Sequence, residues 1–266
     1  LSWDTFHPFS DRKSYVEVAD RPLAERVALL RDPSRRARIV SEPIETPMFE
    51  HAHRIIMSSL GSTYLPTTPS LAEPDPAASL AARQRKTNAT ADEVVYDALC
   101  DAAEAMGGSG FLHVYMGNYA EGSLDVVHEM ISRPGTLVGG GDGGAHVTVI
   151  CDASYPTYML EHWVRERTRG PRIPIETAIR KLTRDPAELY GFRDRGVVEV
   201  GRRADLNVID RERVGLEAPR IERDLPSGAP RLLQGARGYE ATFVAGQVTS
   251  RDGLDTGARP GRLARR

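Results

Sequence analysis

Six consecutive residues, Gly139-Gly140-Gly141-Asp142-Gly143-Gly144, set one carboxylate among five glycines near the middle of the chain. What leads into them limits the fold. Residues 111–116 (Phe-Leu-His-Val-Tyr-Met) form an apolar run that reads as a buried strand. Ser123 is a good N-cap for a helix with Leu124, Val127, Met130 and Ile131 on one face, and Pro134-Gly135 ends it. Residues 136–139 (Thr-Leu-Val-Gly) read as a second strand that runs straight into the glycines. Strand, helix, strand and glycine loop make a β/α unit, which predicts an α/β architecture.

The loop satisfies G-x-G-x-x-G literally. A dinucleotide site would need a helix to start at once, so that its N-terminus faces the pyrophosphate. The next apolar-periodic helix starts only after Pro156, and Asp142 would repel phosphate. No Gly-Lys-Ser/Thr follows, so a P-loop is excluded as well. Two readings of Asp142 stay open on spacing alone. It can be a catalytic carboxylate at the C-terminal end of a barrel-type strand, with glycines clearing space around its oxygens. It can equally be a turn Asp that satisfies loop N–H groups. His146, Cys151 and Asp152 follow and are metal-competent types, yet their spacing matches no closed zinc site, and a pocket-lining or loop-ordering His146 is the better reading.

The chain has 266 residues, with 35 Lys and Arg against 37 Asp and Glu, a formal net charge of −2. That balance leaves no electrostatic footprint for nucleic acid, and no apolar run approaches the roughly 20 residues of a membrane span. Cys100 and Cys151 are its only cysteines, which points to a reducing, cytoplasmic setting rather than a disulfide framework.

Elsewhere, Pro22 reads as the first position of a helix with Leu23, Val27 and Leu30 on one face. His51-Ala52-His53 leads into a surface helix, where residues two apart face different ways and do not share a metal. Residues 63–80, with four prolines, read as a long surface loop. Thr90-Ala91-Asp92-Glu93 is a capping box opening a helix through Val94, Val95, Ala98, Leu99 and Ala102. Further helices are predicted over 157–169 and 175–190. Residues 196–201 and 204–210 read as short strands, and 239–250 as a hairpin turning at Ala245-Gly246.

Taken in order, several motifs resemble the N-acyl-D-amino-acid deacylase (D-aminoacylase) group of the amidohydrolase superfamily. They are Asn118-Tyr119-Ala120-Glu121-Gly122, Gly141-Asp142-Gly143-Gly144-Ala145-His146-Val147 and Cys151-Asp152-Ala153-Ser154-Tyr155-Pro156-Thr157. Thr183-Arg184-Asp185-Pro186-Ala187 continues the series, with Asp where many members have Asn. So do Gly201-Arg202-Arg203-Ala204-Asp205-Leu206 and Phe243-Val244-Ala245-Gly246-Gln247, and His7-Pro8-Phe9 opens it. The Gly-x-x-Ala-Asp-Leu strand is common to many amidohydrolases; the ordered series is the specific signal.

The resemblance implies a metal-dependent (β/α)₈ barrel plus a small β-domain, in which a metal, usually zinc, activates the water that attacks an amide. An Asp after the last barrel strand shuttles the proton, and Asp142 matches it. His146 and Tyr119 are the expected substrate-binding residues. The metal ligands of the group, an H-x-H, a bridging residue and two later His, have no counterpart here. A whole barrel needs about 250 residues by itself. The expectation is therefore the C-terminal part of such a barrel over residues 1–190, with a helical insertion over about 20–105, and a small β-domain over 191–266. Zinc would be held by a missing N-terminal half, the chain's main partner, and the small-molecule substrate would be an N-acyl amino acid. Neither nucleic acid nor membrane is expected as a partner. Rival readings are an amidohydrolase acting on a cyclic amide or urethane, and a non-catalytic remnant.

Overall fold

A computed structural model describes residues 1–65, 73–105, 110–115, 117–119, 121–141 and 143–264. The first half is helical: α1 (Lys13–Val16), α2 (Leu23–Leu30), α3 (Pro33–Ser41), α4 (Pro47–Ser58), α5 (Leu80–Thr87) and α6 (Ala91–Ala105). The capping box forms as read. The Thr90 N–H donates to Glu93 Oε2 at 2.8 Å, and the Glu93 N–H donates to Thr90 Oγ1 at 3.3 Å. α6 then buries Val94, Val95, Ala98, Leu99 and Ala102 against Leu30, Ile39, Ile56 and Trp3 in one apolar core. His53 lies on α4 and bonds Asp92 at 2.7 Å, a surface-helix contact with no metal geometry.

The β/α unit departs from expectation. Of the described residues 111–115 only β2 (His113–Val114) enters a ladder, antiparallel to β1 (Thr63–Tyr64). β1 itself falls at the start of the stretch read as loop. After α7 (Asp125–Ser132), residues 136–139 form no strand, because no neighbouring strand among the described residues offers them hydrogen bonds. Among the described residues no sheet closes into a barrel. A second apolar cluster gathers here from Tyr64, Tyr119, Leu124, Met159, Trp163, Ile173 and Ala178.

The predicted helix over 157–169 is instead a short α8 (Tyr155–Tyr158) followed by a π-helix over Met159–Glu166. The one over 175–190 breaks at Thr183 into α9 (Ile175–Leu182) and α10 (Arg184–Leu189). No helix among the described residues is long and apolar enough to cross a membrane.

All strands beyond residue 206 are antiparallel. β3 (Leu206–Ile209), β8 (Tyr239–Val244), β9 (Gln247–Arg251) and β10 (Leu254–Asp255) make one sheet in the order β10-β9-β8-β3. β4 (Gly215–Leu216) pairs with β7 (Ala236–Arg237), and β5 (Arg220–Glu222) with β6 (Arg231–Leu233). Residues 196–201 are not a strand: they find no partner, and Val198 and Val200 project into solvent.

The β8–β9 hairpin turns at Ala245-Gly246 with φ of +51° and +77°, the two positive values of a type I′ turn. A left-handed backbone strains alanine and suits asparagine. Ala245→Asn should therefore stabilise the protein by up to about 1 kcal/mol, read as a higher urea midpoint at unchanged m-value.

Candidate functional site

Asp142 itself lies outside the described residues. Its glycine neighbours are described, and they pack against the turn at residues 152–155. A Cβ on Gly141 would stand 3.2 Å from both the Asp152 carbonyl oxygen and Tyr155 Cδ1, so a side chain there would require these neighbours to give by a few tenths of an ångström. His146 is exposed and holds φ at +46°, and its carbonyl accepts from the Val149 and Ile150 N–H groups at 2.9 and 3.0 Å. A non-glycine residue in the left-handed region is uncommon, and His is among the types enriched there.

Between Thr136 and His146 the described backbone makes no hydrogen bond to other backbone. The segment is instead held at two points. Lys181 on α9, 1% exposed, donates its ammonium to the carbonyls of Arg133 (3.1 Å) and Thr136 (2.8 Å). These oxygens lie just beyond the C-terminus of α7, where the helix dipole favours a cation. At the far end the Leu232 N–H on β6 donates to the Val147 carbonyl at 2.7 Å.

Beside this segment opens a cavity of about 390 Å³ lined by β2, α7, the 152–155 turn and the π-helix. Tyr115, Leu124, Val127, Tyr158 and Trp163 make its apolar wall; Asn118, Asp152 and Ser154 are polar groups on it. His113 also lines it, with burial pulling its imidazole down to about 4, so that it is neutral near pH 7. Tyr119 is not on the wall. It is buried, with its hydroxyl donating to the Pro74 carbonyl and accepting from Arg169 Nη1 at 2.9 Å, and its ring stacks on Tyr115 at 4.6 Å.

Behind the wall Arg167 and Glu73 form a buried ion pair, which the exposed Asp125 joins from the surface. Arg167 Nε donates to Glu73 Oε2 at 3.0 Å and Nη2 to Asp125 Oδ1 at 2.7 Å. Burial alone would raise the Glu73 carboxyl, but bonds from Arg167 and the Leu124 N–H hold it below the usual range. His162 stacks on Tyr158, and its Nε2 lacks a hydrogen bond, 3.9 Å from Glu73 Oε2. Burial pulls His162 down to about 4 as well.

A sequence model of the amidohydrolase family matches residues 4–250. The chain belongs to the amidohydrolase family. No curated protein and no solved structure matches it significantly. The family is made up of hydrolases that generally depend on a metal. In this amidohydrolase, no three His, Cys, Asp or Glu side chains converge among the described residues. Those residues therefore do not fit a metal site by themselves. His146, Cys151 and Asp152 follow one another closely in sequence, but His146 faces solvent and Cys151 is half-buried.

Sequence reasoning singled out the loop and missed the wall. Leu124 and Val127 already read as the buried face of a helix, and Tyr115 as part of a strand, so each carried a packing signal and none a site signal. Lys181 carried no signal at all, because its partners are two carbonyls more than forty residues away.

Two predictions follow from these contacts. Lys181→Met should leave two buried carbonyls without their donor and cost about 1–3 kcal/mol. Amide exchange should rise in peptides covering residues 134–146 more than elsewhere; a uniform rise would mean that Lys181 does not tether this segment. The second concerns pH. His7, His113 and His162 are all held below their ordinary value of 6.5, primarily by burial. They are neutral when folded and take up protons on unfolding. Stability should be complete above pH 6.5 and fall as the pH drops towards 4. Urea midpoints between pH 7.5 and 5.5 should show it, above the range in which most carboxylates titrate.

Proposed function

We propose that this chain is the C-terminal part of a metal-dependent amidohydrolase barrel that hydrolyses a non-peptide C–N bond, that of N-acyl-D-amino acids. The family match over residues 4–250 carries the hydrolase reading. The ordered motifs around Asn118, Asp142 and Cys151 support the substrate class. The remaining barrel strands come from a preceding segment, which would supply ladder partners for residues 136–139. The metal, zinc on this reading, is held by ligands from that segment, and the steps assigned to this chain are proton transfers.

Asp142 is the group that performs them. An amide nitrogen leaves poorly as an anion, so it must receive a proton as the C–N bond breaks. A carboxylate within reach of the attacking water can accept that water's proton and deliver it to the nitrogen. Glycines on both sides leave room for water and amide at its oxygens. His146 borders the substrate from the same loop, and Tyr119 supports it by backing Tyr115. Two free cysteines, one of them buried, support a cytoplasmic setting.

The test is steady-state kinetics on Asp142→Asn in the full-length gene product, with zinc content measured alongside. Asn keeps the shape and loses the base. kcat on N-acyl-D-amino acids should fall by about 100- to 10,000-fold, with substrate affinity and zinc retained. Turnover within a few-fold of wild type would make Asp142 a turn residue. Loss of zinc would make it a ligand.

A further inference from the structure

Leu1 is built into a ladder. Its amino nitrogen donates to the Leu112 carbonyl at 2.8 Å, and the Leu112 N–H donates back to the Leu1 carbonyl at 2.7 Å. Two residues exchange both bonds only as the hydrogen-bonded pair of antiparallel strands. On the opposite side of the same stretch lies β1, where the Tyr115 N–H donates to the Ser62 carbonyl at 2.9 Å. Backbone groups alternate in direction along an antiparallel strand. Those of His113 and Tyr115 therefore face β1, and those of Leu112 and Val114 face the side on which Leu1 lies.

Val114 thus turns its N–H and C=O to an edge that no further strand covers among the described residues, since β1 and β2 make a sheet of two. Exposed edges are normally blunted by lysine, other charges or proline, and residues 112–114 (Leu-His-Val) carry none of these at neutral pH. The amino group of Leu1 is enclosed, and burial pulls it down to about 5. An ammonium is costly in such a place. A peptide N–H, neutral and with a single donor, suits the carbonyl of Leu112.

The register fixes what comes next. Leu1 and Leu112 stand opposite one another, and both pack into the first apolar core. Continuing the pairing places the residue immediately before Leu1 opposite His113, and the one before that opposite Val114. Directly opposed residues share a face, so the first of these stands beside His113, which lines the open cavity at the glycine segment. We propose that the segment preceding Leu1 is a strand docked antiparallel on the free edge of β2, and that its last residue, opposite His113, is a further lining residue of that cavity. This rests on the proposed function in requiring a preceding segment, and not on which bond the enzyme hydrolyses.

Cysteine pairs in the full-length gene product test the register. The residue before Leu1 and His113 would form a non-hydrogen-bonded pair, with Cα atoms about 4.5 Å apart, within the roughly 4.4–6.8 Å that a disulfide spans. A cysteine placed immediately before Leu1 should cross-link to His113→Cys under mild oxidation, as read by non-reducing peptide mapping. A bond to Val114→Cys in its place would mark a register one residue off and overturn the assignment. Hydrogen exchange on the unsubstituted full-length protein decides the matter even if the cysteine variants fail to fold. There the Val114 amide should exchange about as slowly as the Tyr115 amide, which is bonded to Ser62; exchange as fast as in an unpaired loop overturns the docking. A His113 cross-link in a protein that leaves N-acyl-D-amino acids intact would remove the substrate assignment and leave the docked strand standing.

Discussion

The guanidinium of Arg167 is the contact on which the site's architecture hangs. Its side chain is fully buried at the end of the π-helix. Three elements meet on it: Glu73 from the segment before α5, Asp125 from the first turn of α7, and the Pro171 carbonyl at 3.0 Å. Its face also covers the Trp163 ring, 5.0 Å from the centroid. Burying a charge is costly unless every donor is met, and a planar fork with five donors meets several partners at once. A cavity wall has apolar side chains on one face only. It cannot be held by packing from both sides, and a polar cross-link behind it supplies what packing cannot.

The glycine segment obeys the same logic. It has no ladder along its described length, so its position comes from its ends, the Lys181 ammonium at Thr136 and the Leu232 N–H at Val147. The first tether belongs to α9 and the second to β6. Movement of either element is felt in the loop that carries Asp142. Glycine freedom is thus confined between two tethered ends.

What could be read from the sequence was what depends on near neighbours. The Thr90–Glu93 box and the Ala245-Gly246 turn each concern four residues or fewer, and both stand as read. Helix α2 followed from apolar spacing alone. The misreadings share a different cause. Residues 136–139 and 196–201 carry strand-forming side chains, yet a strand exists only where another offers it hydrogen bonds. The π-helix was invisible because its periodicity is not that of any common template, and Lys181 because buried lysines find partners by tertiary contact. Asp142 was singled out by its glycine frame and its place in an ordered motif series. The cavity could not be read, since Tyr115, Leu124, Val127, Tyr158 and Trp163 are brought together from separate parts of the chain.

On the proposed reading, recognition and proton transfer are assigned to parts of different stiffness. Contacts with parts of the substrate remote from the reacting bond can fix the amide in place and orient it. The carboxylate side needs the opposite property, since the same group must face water first and nitrogen later. Glycines permit that small adjustment, while the tethers limit its range. A side chain at Gly141 would press on Tyr155, its Cβ 3.2 Å from the ring. The glycines and the aromatic wall are therefore one requirement: the closer the wall stands to the loop, the fewer side chains the loop can carry.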